Sequence, residues 1–174
     1  QRARELQPFL LKAAPASERN RCLGDDVIQG LADADLFKAV PPKRWGGLCI
    51  SATTMARIAL ELGKGCPSAA WVFCISNSAA WVASLGPDAM QEVVFADGVP
   101  RMCSAVNPPG SFKPVDGGFI VNGAWPYSSG CYHSAWGMFG VGSKAADGHF
   151  VPGGNVFLRM SDVTIEDSWH VAGL

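Results

Sequence analysis

From Cys66 to Gly86 the chain reads CPSAAWVFCISNSAAWVASLG, without one charged residue. A run of that length can cross a bilayer as a helix. A helix apolar on every side has only two stable environments, lipid or the middle of a large protein core. Ser68, Ser76, Asn77, Ser78 and Ser84 interrupt the run, and alanine supplies much of the remainder. Those interruptions favour the core over lipid. A chain of 174 residues is long enough to bury such a helix at its centre.

The flanking sequence is written in the same helical grammar. Val27, Ile28, Leu31, Leu36 and Phe37 recur at helical spacing within residues 17–38. PPKRWGG at 41–47 breaks that pattern and makes a turn. Ser51 is placed to cap a helix whose stripe is Met55, Ile58, Ala59 and Leu62. Pro87 and Asp88 open one more helix, with Met90, Val93 and Val94 facing inward. Near residue 98 the period changes from 3.6 to 2. RMCSAV, the arms around Asp116-Gly117, SAWGMFGVG, NVFLRM and VTIEDSWHV all read as strands. The expectation is an α+β chain, a helical domain over 1–98 followed by a mostly antiparallel β domain over 99–174.

Composition narrows the function classes. A net charge of −1 gives no basic surface to attract nucleic acid or an anionic membrane. The six cysteines are scattered with no CxxC pair, which suggests buried thiols in a reducing cytoplasm. QRARELQPFL lacks the apolar run of a secretory leader. The start at Gln1 and the stop within WHVAGL read as a fragment.

The densest chemistry lies in GAWPYSSGCYHSAW, residues 123–136. A serine hydrolase needs a nucleophile on a strained G-x-S-x-G elbow, and none is present. Cys131 and His133 are too few ligands for zinc, so no metal site is expected. GVGSKA at 140–145 matches a dinucleotide loop by letter, but ADGHFVPGG cannot form the helix that such a loop must open into. A hairpin turn is the simpler reading. A slot for a flat ring fits better: Ser128, Ser129 and Gly130 allow close backbone approach and Trp125 supplies a wall. Plain packing of a strand end explains the same residues, so residue types alone leave the choice open. His133 and His170 read as structural histidines at strand ends, and His149 as a solvated turn residue.

MCSAVNPPGSFKPVDGGFIVNGAWPYSSGCYHSAW, residues 102–136, resembles the middle β domain of the acyl-CoA dehydrogenase fold. Within that fold it is most similar to the oxygenase components of two-component flavin-dependent monooxygenases, the aromatic and indole hydroxylases. Their G-x-W-P-[FY]-x-S-G phrase is matched from Gly123 to Gly130, and PPKRWGG and DSWHVAGL stand in family order. The resemblance implies an N-terminal helical domain, then an antiparallel β-barrel domain, with the C-terminal helical bundle missing from this chain. It implies that Trp125, Ser128 and Ser129 lie at the flavin ring and that Ser104 to Asn107 pass along the ring's edge. Ser128 and Ser129 become the candidate catalytic donors, and Ser78 and Trp81 on the long helix become the substrate wall.

The same resemblance implies reduced flavin, FMN or FAD, delivered by a separate flavin reductase. It further implies oxygen activation on that flavin, hydroxylation of a small aromatic or heteroatom-bearing substrate, and assembly as a homotetramer. Dehydrogenases of the fold carry T-E-P-x-x-G-S-D where this chain reads AVNPPGSF. Monooxygenases often carry H-x-W on the long helix where this chain has Ala79-Ala80-Trp81. Two alternatives therefore stand beside the monooxygenase: an acyl-CoA dehydrogenase or oxidase acting on a thioester, and a non-catalytic relative with a binding or assembly role.

Overall fold

The computed structural model describes residues 1–144 and 150–170. Six α-helices come first: α1 (Arg2–Glu5), α2 (Gln7–Asn20), α3 (Asp25–Asp33), α4 (Ala52–Gly63), α5 (Pro67–Ala83) and α6 (Asp88–Val94). Four strands follow: β1 (Met102–Val115), β2 (Gly118–Asn122), β3 (Trp136–Lys144) and β4 (Phe150–Arg159). The change of period near residue 98 thus coincides with the change from helix to sheet.

The helical stretch expected over 17–38 is two helices and a 3-10 turn. Arg21 adopts a left-handed conformation, φ 55°, and ends α2. Gly24 then opens α3 in an extended conformation. The 3-10 turn, Leu36–Lys38, buries Leu36 and Phe37. Periodicity cannot show such a break, because one left-handed residue redirects the chain without changing its apolar spacing. α4 starts as expected, with the Ser51 hydroxyl accepting from Thr54 N at 3.2 Å.

α5 is the centre of the molecule. Ala69, Ala70, Phe73, Ser76, Asn77, Ala79, Ala80 and Ala83 form its buried side. The alanines let α4 and β1 approach closely, and the few polar groups are satisfied. Asn77 is fully buried. Its amide donates to Leu36 O and Phe73 O, both at 2.9 Å, and accepts from Val40 N at 3.0 Å. Ser76 Oγ accepts from Met102 N at 3.0 Å, which ties the start of β1 to α5. Among the described residues no helix is long and apolar enough to cross a membrane.

PPKRWGG is a pinned turn. Arg44 and the Trp45 indole both donate to Gln91 Oε1, at 2.5 and 2.9 Å, and Trp45 stacks on Phe95 at 5.4 Å. A Cβ on Gly47 would lie 1.9 Å from the Pro41 carbonyl oxygen, so only glycine fits there.

The sheet order is β2-β1-β3-β4. The hairpin at Asp116-Gly117 forms as expected, with Val115 opposite Gly118 and Gly117 at φ 78°. β1/β2 and β3/β4 are antiparallel, but β1/β3 is parallel, so the sheet is mixed rather than uniformly antiparallel. The cause is the connection over 123–135. The strand direction still alternates along the chain, but β3 is laid on the far side of β1, and a connection that skips one strand makes neighbours parallel. RMCSAV and the first hairpin arm are one long strand with a register shift between Ala105 and Gly110. GVGS at 140–143 is part of β3 and not a turn. The described part of VTIEDSWHV, residues 163–170, is not a strand: a 3-10 turn at Met160–Asp162 leads into irregular chain. His149 and the Asp147-Gly148 turn lie outside the described residues.

Candidate functional site

The loop after Trp125 is built by two left-handed residues, Tyr127 at φ 61° and Gly130 at φ 79°. Between them the chain folds on itself. Ser129 N donates to Tyr127 O at 2.9 Å and Cys131 N to Ser128 O at 3.1 Å. Gly130 lies flush on α5, where a Cβ would meet Val72 Cγ1 at 3.1 Å. Glycine here serves both the positive φ and the close approach.

The two serines have different partners. Ser128 donates its hydroxyl hydrogen to Trp125 O at 3.0 Å, which locks the turn. Ser129 Oγ accepts the indole N–H of Trp71 on α5 at 2.9 Å. Among the described residues its own O–H has no acceptor. An oxygen that accepts one hydrogen bond is polarised to donate a better one.

Trp125 is half-buried in the sheet. It stacks on Phe139 at 4.7 Å, and its indole N–H donates to Gly140 O at 2.9 Å. Added Cβ atoms on Gly110 and Gly123 would strike its ring at 2.4 and 2.5 Å, so both glycines make room for it. A Cβ on Gly140 would lie 2.2 Å from Val106 O. Trp125 therefore joins the 123–130 loop to the 104–110 part of β1. Ser104 is half-buried there, in register with Met138, and Asn107 is exposed at the register shift.

Ser78 and Trp81 are exposed on α5, on the face that also carries Trp71. Positions 71, 78 and 81 fall within one stripe at about 100° per residue, spread over roughly 15 Å of helix axis. Trp71 and Trp81 are 44% and 47% exposed, an unusual waste of apolar area for two indoles. Trp71 touches the loop directly. Ser78 and Trp81 stand further along the same face and have no hydrogen bond to it among the described residues. Trp71 is the participant that residue reading overlooked, although its seven- and ten-residue spacing to Ser78 and Trp81 contained the signal.

His133 faces elsewhere. Its Nε2 donates to Leu23 O at 2.9 Å and its Nδ1 lies 3.5 Å from Asp25, with the side chain 14% exposed. It ties the loop's exit to the α2–α3 link, the structural place expected of it. His170 is bound within its own segment, to Asp167 O at 3.3 Å. Of the six thiols only Cys66 and Cys103 are buried, and Cys49 is exposed. Burial pushes Cys103 up to about 12 and raises Cys22, Cys74 and Cys131 as well. These four stay protonated at neutral pH and are poor nucleophiles. Among the described residues no group of three or more metal-ligating side chains converges. A cleft of about 570 Å³ between Lys38, Val93, Arg101, Trp136 and Arg159 contains none of the site residues.

What assembles is an open, half-apolar floor. Its parts are the indole-bearing face of α5, the loop with one unspent hydroxyl, and the bulged stretch of β1. Among the described residues it has no carboxylate or imidazole positioned as a strong acid or base. Such a floor suits a planar, amphipathic group stacked on indoles and hydrogen-bonded at one edge.

The flavin-dependent monooxygenase oxygenase subunit HsaA of Mycobacterium tuberculosis is 35% identical over 97% of this chain and 43% of its own length. The p-hydroxyphenylacetate 3-hydroxylase oxygenase component of Acinetobacter baumannii is 29% identical over 100% of this chain and 41% of its own. XiaF from a Streptomyces species, solved with FADH2 and glycerol, superposes with a TM-score of 0.90 at 30% identity, over 99% of this chain and 44% of that one. The chain thus spans less than half the length of these relatives. The profile of the acyl-CoA dehydrogenase N-terminal domain matches residues 3–103, more than half of the chain. The chain belongs to the acyl-CoA dehydrogenase family.

Proposed function

We propose that the chain forms the N-terminal helical part, over 1–98, and the β part, over 99–174, of the oxygenase component of a two-component flavin-dependent monooxygenase. The observation that carries the proposal is the Trp71–Ser129 hydrogen bond. It fixes one serine hydroxyl, with its hydrogen unspent, beside an exposed indole face.

The residues fit a flavin. When bound, reduced flavin supplies the electrons that activate oxygen. Trp71 and Trp125 flank the loop and give the ring a wall, while Ser104 and Asn107 border its edge from β1. Ser129 donates a hydrogen bond to that edge, and Ser128 holds the turn that presents it. A hydroxyl suits the task because it stabilises developing negative charge without delivering a full proton. The outer face of α5, through Ser78 and Trp81, excludes water and packs on an aromatic or heteroatom-bearing substrate. The cofactor is FMN or FAD, the partner is a cytoplasmic flavin reductase, and the full protein is a homotetramer.

The test uses the full-length protein with reduced flavin, oxygen and a panel of phenols and indoles. Hydroxylated product and hydrogen peroxide are assayed together, and anaerobic binding of reduced flavin is followed by quenching of tryptophan fluorescence. Reduced flavin should quench and product should form. Dehydrogenation of an acyl thioester with oxidised flavin would instead establish the dehydrogenase alternative. Absence of both flavin binding and turnover would leave the non-catalytic one.

A further inference from the structure

At the end of α2, Arg21 reaches 146 positions along the chain. Its Nη1 and Nη2 donate to the two carboxylate oxygens of Asp167, each at 2.7 Å, and Nη1 also donates to the carbonyl of Trp169. Trp169 in turn meets the Tyr127 ring edge-on, with centroids 5.3 Å apart and planes at 87°. Tyr127 is the left-handed residue whose carbonyl accepts from Ser129 N.

We propose that Arg21 is a positioning residue, clasping the 163–170 segment so that Trp169 braces Tyr127 and holds the 125–130 loop in place. The proposal rests on the monooxygenase reading for its effect on turnover, but not for its effect on the loop. Three arguments support it. First, residues 163–170 have no regular structure, and the described hydrogen bonds that tie them to the rest of the chain all come from Arg21. Second, an isolated surface ion pair contributes little, whereas a forked guanidinium–carboxylate pair with a third bond to a carbonyl fixes direction as well as distance. Third, Tyr127 occupies a conformation that non-glycine residues adopt only under external constraint, and its side chain is 72% exposed. The Trp169 ring supplies that constraint. Arg21 also holds the Asp167 carboxyl below its ordinary range, through its hydrogen bonds and its charge.

Three variants of the full-length protein test the clasp. Arg21→Gly suits the left-handed backbone at φ 55° while deleting the side chain, so loss of folding does not confound it. Asp167→Asn keeps the shape and removes the charge, and Arg21→Lys keeps the charge and removes the fork. The first readout is amide hydrogen exchange over 125–131 and 163–170 without flavin. The second is product formed per reduced flavin consumed. Arg21→Gly and Asp167→Asn should speed loop exchange roughly threefold to tenfold and lower coupling by a similar factor, with Arg21→Lys between them and the parent. Unchanged loop exchange in Arg21→Gly overturns the clasp. Faster exchange with unchanged coupling in an active parent overturns the positioning role. A parent that forms no product refutes the functional reading instead, and the exchange readout alone then upholds or overturns the clasp.

Discussion

Replacing Trp71 by Phe and Ser129 by Ala removes the same hydrogen bond from opposite ends, and the two losses should differ greatly. Trp71→Phe keeps an aromatic ring and deletes one neutral N–H···O bond of 2.9 Å on a side chain that is 44% exposed. Such a bond contributes about 1 kcal/mol net, roughly a fivefold effect on how often the loop holds its geometry. Ser129→Ala deletes that bond and also the hydroxyl's own hydrogen. A donor aimed at developing charge is worth about 3–4 kcal/mol, roughly a hundredfold or more in rate. Product per reduced flavin should therefore fall about fivefold in Trp71→Phe and about a hundredfold in Ser129→Ala, with hydrogen peroxide rising to match. The double variant should be no worse than Ser129→Ala alone, because the contribution of Trp71 passes through Ser129. Thermal melting checks that both variants keep the fold. If Ser129→Ala loses no more than Trp71→Phe, the hydroxyl serves only the loop. If the two losses multiply in the double variant, the indole and the hydroxyl act separately. Either result refutes the reasoning.

Three further outcomes follow from the same contacts. Ser128→Ala removes only the bond to Trp125 O, so coupling should fall by no more than roughly fivefold, measured beside Ser129→Ala in the same assay. Asn77→Leu leaves Val40 N and Leu36 O without their partner inside the core, and urea unfolding should show a loss of about 2–5 kcal/mol. Glu61 accepts from Arg4, Gln7 and Lys64, which lower its carboxyl from 4.5 to about 2. Because the folded value lies below the unfolded one, its contribution is present above pH 4.5 and disappears as pH falls toward 2. Glu61→Gln should flatten that part of the acid-unfolding curve.

Much of this molecule follows from local rules. The charge-free run of 66–86 reads as a core helix once its serines and Asn77 argue against lipid, and α5 does bury one side at the centre of the molecule, but Trp71, Ser78 and Trp81 leave its other face exposed, which the run itself did not show. Ser51 caps α4, Asp116-Gly117 turns a hairpin, and the period changes where helix gives way to sheet. Each is a short-range effect, set by neighbours within four residues. The WPYSSG phrase pointed to the 125–130 loop, but its residue types could not tell the two serines apart. That distinction depends on Trp71, 58 positions away, which occupies one oxygen, and on Trp125 O, which takes the other hydroxyl's hydrogen. The parallel pairing of β1 with β3 is equally non-local: the same strands in the same order pair antiparallel or parallel according to the side on which β3 is laid. The clasp between Arg21 and Asp167 is the extreme case. Neither residue stands out in the chain, one at a helix end and the other in irregular sequence. Only folding gives the guanidinium its carboxylate, because a hydrogen bond between residues 146 apart has no local periodicity to record it.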